Sequence, residues 1–269
     1  MNIYRKLQGQ ERELLNPADE NGFKPLLMDD AATDSIVFWE GYNSSPKYWE
    51  EWIIKNINEN KYNWFDFSKD LIDIGAGVGE YPIYTNFHKC YAFEPSICTR
   101  YLMYANIASH DKINQIIPLP YAISDKPGTR GFTGWSENTE TGSSRTETGN
   151  VDVEYRTLDS FEFNNVGLIK VDIEGYEYNA LHSGLKTLIQ NDYPPLLVEM
   201  WSDNCIDNFF GDEETRNFYK KQEAKLRDFL FALDYVHIVD KSLCDWMTYF
   251  FIHKTHIHNF DGNYNHPKL

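Results

Sequence analysis

The segment Asp73–Glu80 (DIGAGVGE) closes a short apolar stretch that begins at Leu71. Glycine at alternating positions lets a backbone turn sharply and approach a ligand closely, because no side chain stands in the way. The spacing Gly75-x-Gly77-x-Gly79 differs from the G-x-G-x-x-G of dinucleotide sites, and the chain has no G-x-x-x-x-G-K-[ST] for a nucleoside triphosphate. Asp73 beside such a turn would repel a pyrophosphate and would attract an ammonium group. Nineteen residues past Gly75 stands Glu94, within Tyr91–Pro95 (YAFEP), an offset that suits a two-pronged hold on ribose hydroxyls. A third segment, Tyr121–Asp125 (YAISD), offers backbone and carboxylate groups to an adenine edge. One acid for an amine, one for a ribose and one for an adenine match S-adenosylmethionine better than a nicotinamide dinucleotide. A nicotinamide or flavin Rossmann enzyme is the alternative.

A second charged group lies in Lys170-Val171-Asp172-Ile173-Glu174-Gly175. If a strand persists that far, period 2 puts Lys170, Asp172 and Glu174 on one side, where buried charges must pair or line a cavity. Were a methyl group passed from such a cofactor to a hydroxyl, as the family resemblance described below implies, the acceptor oxygen would have to be held about 3 Å from the methyl. The transfer would also require a base for the hydroxyl proton. The acids at strand ends that qualify are Asp172, Glu174 and Glu199, with His182 and His237 in reserve. The reading assigns Glu174 as base, with Asp172 and Lys170 positioning.

These residues need a scaffold that brings strand ends together. From residue 69 onward apolar strands alternate with helical segments: strands at Leu71–Ile74, Cys90–Phe93, Ile116–Ile123 (broken by Pro118 and Pro120), Val166–Ile173, Leu196–Met200, Tyr235–Val239 and Met247–His253. Helices are expected over 97–109, 176–190 and 212–233. The alternation implies βαβ crossovers and a mainly parallel sheet covered on both faces. In such a sheet ligands bind beyond the carboxyl ends of the strands, at the topological switch point. Residues 1–66 read as an N-terminal helical cover, with Ser45-Pro46 opening a helix that carries Trp49, Trp52, Ile53 and Ile57. Residues 67–254 form the catalytic domain and 255–269 a tail. Residues 128–150, rich in Gly, Ser, Thr and Glu, read as a hairpin, a loop or a flap over the site.

With 41 acids against 25 bases the formal charge is −16, spread along the whole chain. That balance argues against a general grip on nucleic acid or anionic lipid. No run of apolar residues is long enough to span a membrane, and the first 20 residues lack the apolar core of a secretory signal, so a cytoplasmic protein is expected. Four cysteines without a C-x-x-C pair fit reduced thiols. His253, His256, His258 and His266 match no compact ligand spacing, and no metal is expected. Trp201, just past Glu199, suits either stacking on a ring or core packing.

From Leu71 to about Trp201 the sequence resembles the FkbM-type methyltransferases, a branch of the class I S-adenosylmethionine-dependent enzymes. Three blocks carry the resemblance: Asp73–Tyr81 (DIGAGVGEY), Phe93–Ile107 (FEPSICTRYLMYANI) and Gly167–Gly184 (GLIKVDIEGYEYNALHSG). Shorter echoes are Ala122–Asp125, Gly142–Ser144, Thr157–Phe161 and Leu197–Glu199. Gly77 stands where the family often has Asn, and Ile97 where it has a second proline. The resemblance implies an α/β, Rossmann-like fold with a seven-stranded, mainly parallel sheet whose last strand is antiparallel. It also implies O-methylation of small molecules such as sugars, here with a small-molecule or glycan acceptor as the expected partner. By position, Asp73, Gly75, Gly77, Glu94, Ala122, Asp125 and Asp172 would line the cofactor, joined by Ala76, Gly79, Pro95 and Ser124. A Rossmann module that binds the cofactor without catalysis is the competing expectation.

Overall fold

The computed structural model describes residues 27–30, 35–38, 50–132, 151–240, 247–257 and 264–265. Its main sheet contains seven strands: β3 (Asp70–Ile74), β4 (Cys90–Phe93), β5 (Ile116–Leu119), β9 (Val166–Val171), β10 (Leu196–Glu199), β11 (Tyr235–Ile238) and β12 (Thr248–His253). They lie in the order β5-β4-β3-β9-β10-β12-β11, and the two-residue strand β13 (Tyr264–Asn265) adds to the β11 edge. The pairs from β5 through β10 are parallel, while β12 runs antiparallel to both of its neighbours β10 and β11. This is the seven-stranded class I methyltransferase arrangement, with the last of the seven strands inserted antiparallel.

The central strands read as continuous apolar runs because both faces are covered. Every residue of β3 and β9 is buried. Alternate residues feed two separate cores. Leu71, Cys90, Ala92 and Leu168 pack with Ile53, Ile54 and Ile57 of α1 (Glu51–Glu59), with Tyr81 and Ile83 of α2 (Glu80–Tyr84), and with Leu102 and Met103 of α3 (Ile97–Ser109). Ile72, Ile169 and Val198 pack on the other face with Leu181 of α4 (Glu177–His182), Leu188 of α5 (Leu185–Gln190) and Leu226 of α7 (Glu213–Ala232). The chain passes from β3 to β4 on one side and reaches β9 on the other, so the strand order reverses between β3 and β9.

Several elements differ from the sequence expectation for local reasons. The strand 116–123 splits around Pro120, one of the two prolines expected to break it, and its halves enter different sheets. β5 stays in the main sheet, while β6 (Ala122–Ile123) joins β8 (Val151–Arg156) and β7 (Gly128–Phe132) in a separate three-stranded sheet. The region 128–150 thus begins with a strand of an antiparallel pair, and residues 133–150, with Gly142–Ser144, lie outside the described residues. The expected helix 176–190 breaks at Ser183-Gly184, where a Cβ on Gly184 would come within 2.6 Å of the Leu158 side chain. The Ser183 hydroxyl there accepts the Leu158 N–H instead of continuing a helix. α6 (Asp203–Phe209), capped by the Ser202 hydroxyl, was not anticipated. In the N-terminal part, β1 (Leu27–Asp30) and β2 (Ser35–Phe38) pair antiparallel where only helix was expected. The helix expected from Ser45 is described from Glu51, and Ser45, Pro46 and Trp49 lie outside the described residues. Its inward face is Ile53, Ile54 and Ile57, and Trp52 is exposed.

One core residue generates a pH dependence. His237 on β11 is buried beside the rings of Tyr249 and Phe251, and neither ring nitrogen has a hydrogen-bond partner. Burial pushes its pKa down from 6.5 to about 4. A depressed histidine pKa gives stability that is complete above the unfolded value and is lost as pH falls toward the folded one. Relative to H237F, the wild-type melting temperature should therefore fall progressively between pH 6.5 and 4. Parallel melting curves for the two proteins across that range would contradict this account.

Candidate active site

The glycine turn connects β3 to α2 and is held by both neighbouring strands. The Gly75 and Ala76 N–H groups donate to the Phe93 carbonyl at 3.0 and 2.9 Å, tying the turn to the end of β4. Gly75 has φ +87, and a Cβ there would sit 1.9 Å from the Asp172 carbonyl oxygen, so the end of β9 closes over a position only glycine can fill. At Gly77, by contrast, a Cβ would meet no atom within 4 Å. The turn is clamped at its first glycine and open at its second. Val78 is buried behind it and Gly79 leads into α2.

Glu94 lies at the carboxyl end of β4 and is buried. Its Oε2 accepts the Gly77 N–H at 3.1 Å and its Oε1 accepts the Ser96 N–H at 2.7 Å. Burial pushes its pKa up to about 7, against the two backbone donors. One bond on each oxygen leaves a further lone pair on each. Arg100 donates to the carbonyls of Glu94 and Pro95, and the Ser96 hydroxyl caps α3, so the geometry after β4 is fixed by the helix that follows. Further along, Ala122 and Ser124 are buried, and Asp125 Oδ1 accepts from Asn179 Nδ2 at 2.9 Å. Asn179 in turn accepts from Gln222, which links this corner to α4 and α7.

At the switch point the charges concentrate around Lys170. Asp73 pairs with Lys170 across the β3–β9 register, with Nζ 3.7 Å from Asp73 Oδ1 and 3.1 Å from Asp172 Oδ2. Asp73 is 1% exposed and neither carboxylate oxygen makes a hydrogen bond. Burial pushes its pKa up to about 6, with Lys170 opposing and Asp172 adding to the rise. Burial works against the Lys170 ammonium, but Asp172, Asp73 and Glu50 outweigh it and hold its pKa above the ordinary value.

The structure brings Lys170, Asp172 and Asp73 together, and it separates Glu174 from their strand. β9 ends at Val171, and Glu174 adopts φ +59 in the turn that follows, so strand alternation does not orient it. That turn is organised by Glu177, whose Oε1 accepts the Ile173 and Gly175 N–H groups at 2.9 and 3.2 Å. Tyr219 packs against Gly175 and donates to the Glu174 carbonyl at 3.1 Å. Glu199 ends β10. Burial, then Asp172, Glu177 and Glu174, push its pKa well above the usual range, while Trp201 opposes them. His182 packs with Tyr178 and Phe229 between α4 and α7, and His237 lies within β11, so the two reserve bases belong to the packing. Trp201 is buried in an aromatic cluster with Phe210 and Tyr219. Among the described residues no three His, Cys, Asp or Glu side chains are arranged to hold a metal ion, and His258 and His266 lie outside them.

Sequence reasoning missed Glu50, Glu80 and Glu177. Glu80 directly follows the last glycine of the motif, and its position was the available signal. Glu50 gave none, since an acid beside an amphipathic helix ordinarily faces solvent. In the fold it is buried, its N–H donates to Glu80 Oε1 at 2.7 Å, and its Oε1 accepts from Thr248 Oγ1 at 2.9 Å.

No curated protein sequence matches the chain. Among solved structures it is similar to a methyltransferase FkbM from Methylobacillus flagellatus KT, with 15% identity and TM-score 0.48, covering 70% of this chain and 44% of that one. The chain thus corresponds to less than half the length of that relative. It is also similar to an SAH-bound methyltransferase from Podospora anserina, with 12% identity, TM-score 0.46, and 78% and 80% of the two chains covered. An O-methyltransferase from Bacillus cereus in complex with SAH shares 8% identity at TM-score 0.42, over 79% and 83% of the two chains. The family profile of the methyltransferase FkbM domain matches residues 73–236, well over half of the chain. The chain belongs to the FkbM methyltransferase family.

Proposed function

We propose that the protein is an S-adenosylmethionine-dependent O-methyltransferase acting on a hydroxyl of a small molecule or glycan in the cytoplasm. The observation that carries the cofactor assignment is Asp73: a carboxylate at the switch point, 1% exposed, with no hydrogen bond to either oxygen. Burial of such a group is costly unless a cation joins it. Lys170 stands 3.7 Å from one Asp73 oxygen, beyond hydrogen-bond distance and shared with Asp172, and an amino-acid ammonium would add the N–H donors that both oxygens lack. Gly77 leaves room for close approach of a ligand to the backbone, and Glu94 retains lone pairs suited to ribose hydroxyls. Ser124 and Asp125 stand where the adenine end would lie, and Gly75, Ala76, Gly79, Pro95, Ala122 and Asp172 complete the lining. A pyrophosphate would meet Asp73 and Asp172 with the wrong sign of charge, which disfavours the nicotinamide alternative.

When bound, S-adenosylmethionine supplies an electrophilic methyl group on a sulfonium. The chain must then hold an acceptor hydroxyl in line, exclude water and take up a proton. Lys170 and Asp172 form a rigid charged pair at the end of β9 and serve as positioning groups. Glu199, its pKa held well above the usual range by burial and the neighbouring acids, is assigned to hold the acceptor from the end of β10. Glu174, half-buried in the turn after β9, is assigned as the proton acceptor. A cofactor-binding module without catalysis predicts no transfer at all, which separates the two readings.

Incubation with methyl-labelled S-adenosylmethionine and a panel of sugars, glycans and hydroxylated small molecules should transfer label to at least one acceptor, and E174Q should lower kcat by about 10²–10⁴-fold with the same acceptor. Tight cofactor binding with no labelled product across the panel would favour the non-catalytic module. In calorimetry, D73N and E94Q should each weaken S-adenosylmethionine binding by about tenfold or more. Unchanged affinity in both would overturn the assignment of these residues. G75A, which forces a methyl group onto the Asp172 carbonyl, should lower the melting temperature by roughly 5–10 °C and abolish binding. A variant that melts and binds like the wild type would show that β9 does not clamp the turn.

A further inference from the structure

We propose that Glu50, carried to the site by the segment preceding α1, recognises the positive charge of the methyl donor and so sets the preference for S-adenosylmethionine over its demethylated product. The inference rests on the cofactor reading above and goes beyond it, because no residue outside 73–236 belongs to the matched domain.

The position of Glu50 comes first. It stands immediately before α1 and makes no side-chain cap to its own helix. The carboxylate turns instead to Thr248, whose hydroxyl donates to Oε1 at 2.9 Å. Thr248 opens β12 and pairs in register with Glu199 at the carboxyl end of β10. The Glu50 N–H donates to Glu80 at the start of α2, and the charges of Lys170 and Asp172 act on its carboxylate. Glu50 therefore sits over the ends of β9, β10 and β12. Glu94, the group assigned to the ribose, lies past β4 on the other side of the switch point. Glu50 thus lies on the side of the switch point away from the ribose group, where the methionine part of the cofactor, with its sulfonium, would be held.

The charge balance there comes second. Glu50, Glu80, Asp73 and Asp172 surround a single ammonium, that of Lys170, among the described residues. Asp73 has no hydrogen bond to either oxygen, and the buried Tyr81 hydroxyl lies beside Glu50, Glu80 and Asp73. A buried carboxylate cluster with one cation is short of positive charge. Burial accordingly pushes Glu50 up to about 7 and Glu80 up to about 8. A sulfonium supplies the missing charge and the thioether of the product does not. A carboxylate of this cluster that is not needed for the ammonium or the ribose is thus one whose removal weakens the charged cofactor selectively.

Calorimetry tests this without an acceptor. E50Q keeps the size and the hydrogen-bonding reach of the side chain and removes its charge. Its affinity for S-adenosylmethionine, and for an analogue bearing an amine in place of the sulfonium, should fall by about tenfold. Affinity for S-adenosylhomocysteine should stay within about twofold, and E50D should recover part of the loss. T248V, which removes the hydroxyl bonded to Glu50, should show the same split at smaller size, and it decides the question if E50Q does not fold. E59Q, an exposed acid on the same helix, should change neither affinity. Equal losses for donor and product would make Glu50 a structural residue, and no loss for either would remove it from the site; each result overturns the proposal. A wild-type protein that binds neither compound would instead overturn the cofactor reading itself.

Discussion

Lys170 sits in the middle of a parallel sheet, where an unpaired ammonium is not tolerated. It faces Asp73 directly across the β3–β9 register and reaches Asp172 two residues on, so the charge it buries is shared between two strands. Removing one partner of such a pair costs roughly 3–5 kcal/mol, because the other is left buried and uncompensated. The same two strand ends are clasped by backbone: the Asp172 carbonyl closes over Gly75, and the Asp172 N–H donates to the Ile74 carbonyl at 3.0 Å. The switch point is therefore one rigid unit of charge pair and glycine turn. The positions of Glu94, Glu80 and Gly77 follow from it.

That unit leaves acids in excess, and the excess has a sign in folding. Burial raises Glu50, Glu80, Glu94 and Glu177 above their ordinary value of 4.5, to between about 7 and about 8. For a raised carboxylate the stabilising state is the protonated one, so the contribution is complete below 4.5 and is lost as pH rises through the folded value. The free protein at neutral pH is thus held below its best stability by the groups that define the site, while His237 acts in the opposite direction on acidification. Sites commonly carry such a cost, and a bound cation relieves it.

The parts of the molecule that the sequence makes legible are those in which neighbours along the chain decide the outcome. α3 runs over Ile97–Ser109 as its pattern and the Ser96 cap require, and the alternation of strands and helices predicts a parallel sheet with the correct strand count. The glycine turn and the acids at the ends of β3 and β4 are adjacent to the strands that present them. Elements failed where a distant group intervened. Gly184 looks like an interior helix residue until Leu158 packs on it, and the break that the prolines put in Ile116–Ile123 becomes a change of sheet only because β8 takes Ala122 and Ile123. Glu174 shares the alternation of Lys170 and Asp172 in sequence, yet Glu177 bends the backbone away after Val171. Glu50 is the extreme case, since its partner Thr248 lies 198 residues away.

The two ends of the site are consequently built from different kinds of information. At the nucleoside end Glu94 is held by Ser96 and Gly77, within 17 residues of it, and by backbone donors that any side chain would leave in place. Such an end is local, and it survives large changes elsewhere in the chain. At the proposed methyl end Lys170, Asp172, Glu199, Thr248 and Glu50 come from the ends of β9, β10 and β12 and the segment before α1, and only the folded sheet assembles them. Of these, Glu199, Thr248 and Glu50 make no hydrogen bond to the glycine turn, whereas Lys170 and Asp172 belong to the unit that clasps it. The proposed nucleoside end therefore carries the recognisable motif, and the assembled end, which no short motif describes, is where the proposed selectivity for donor and acceptor would reside.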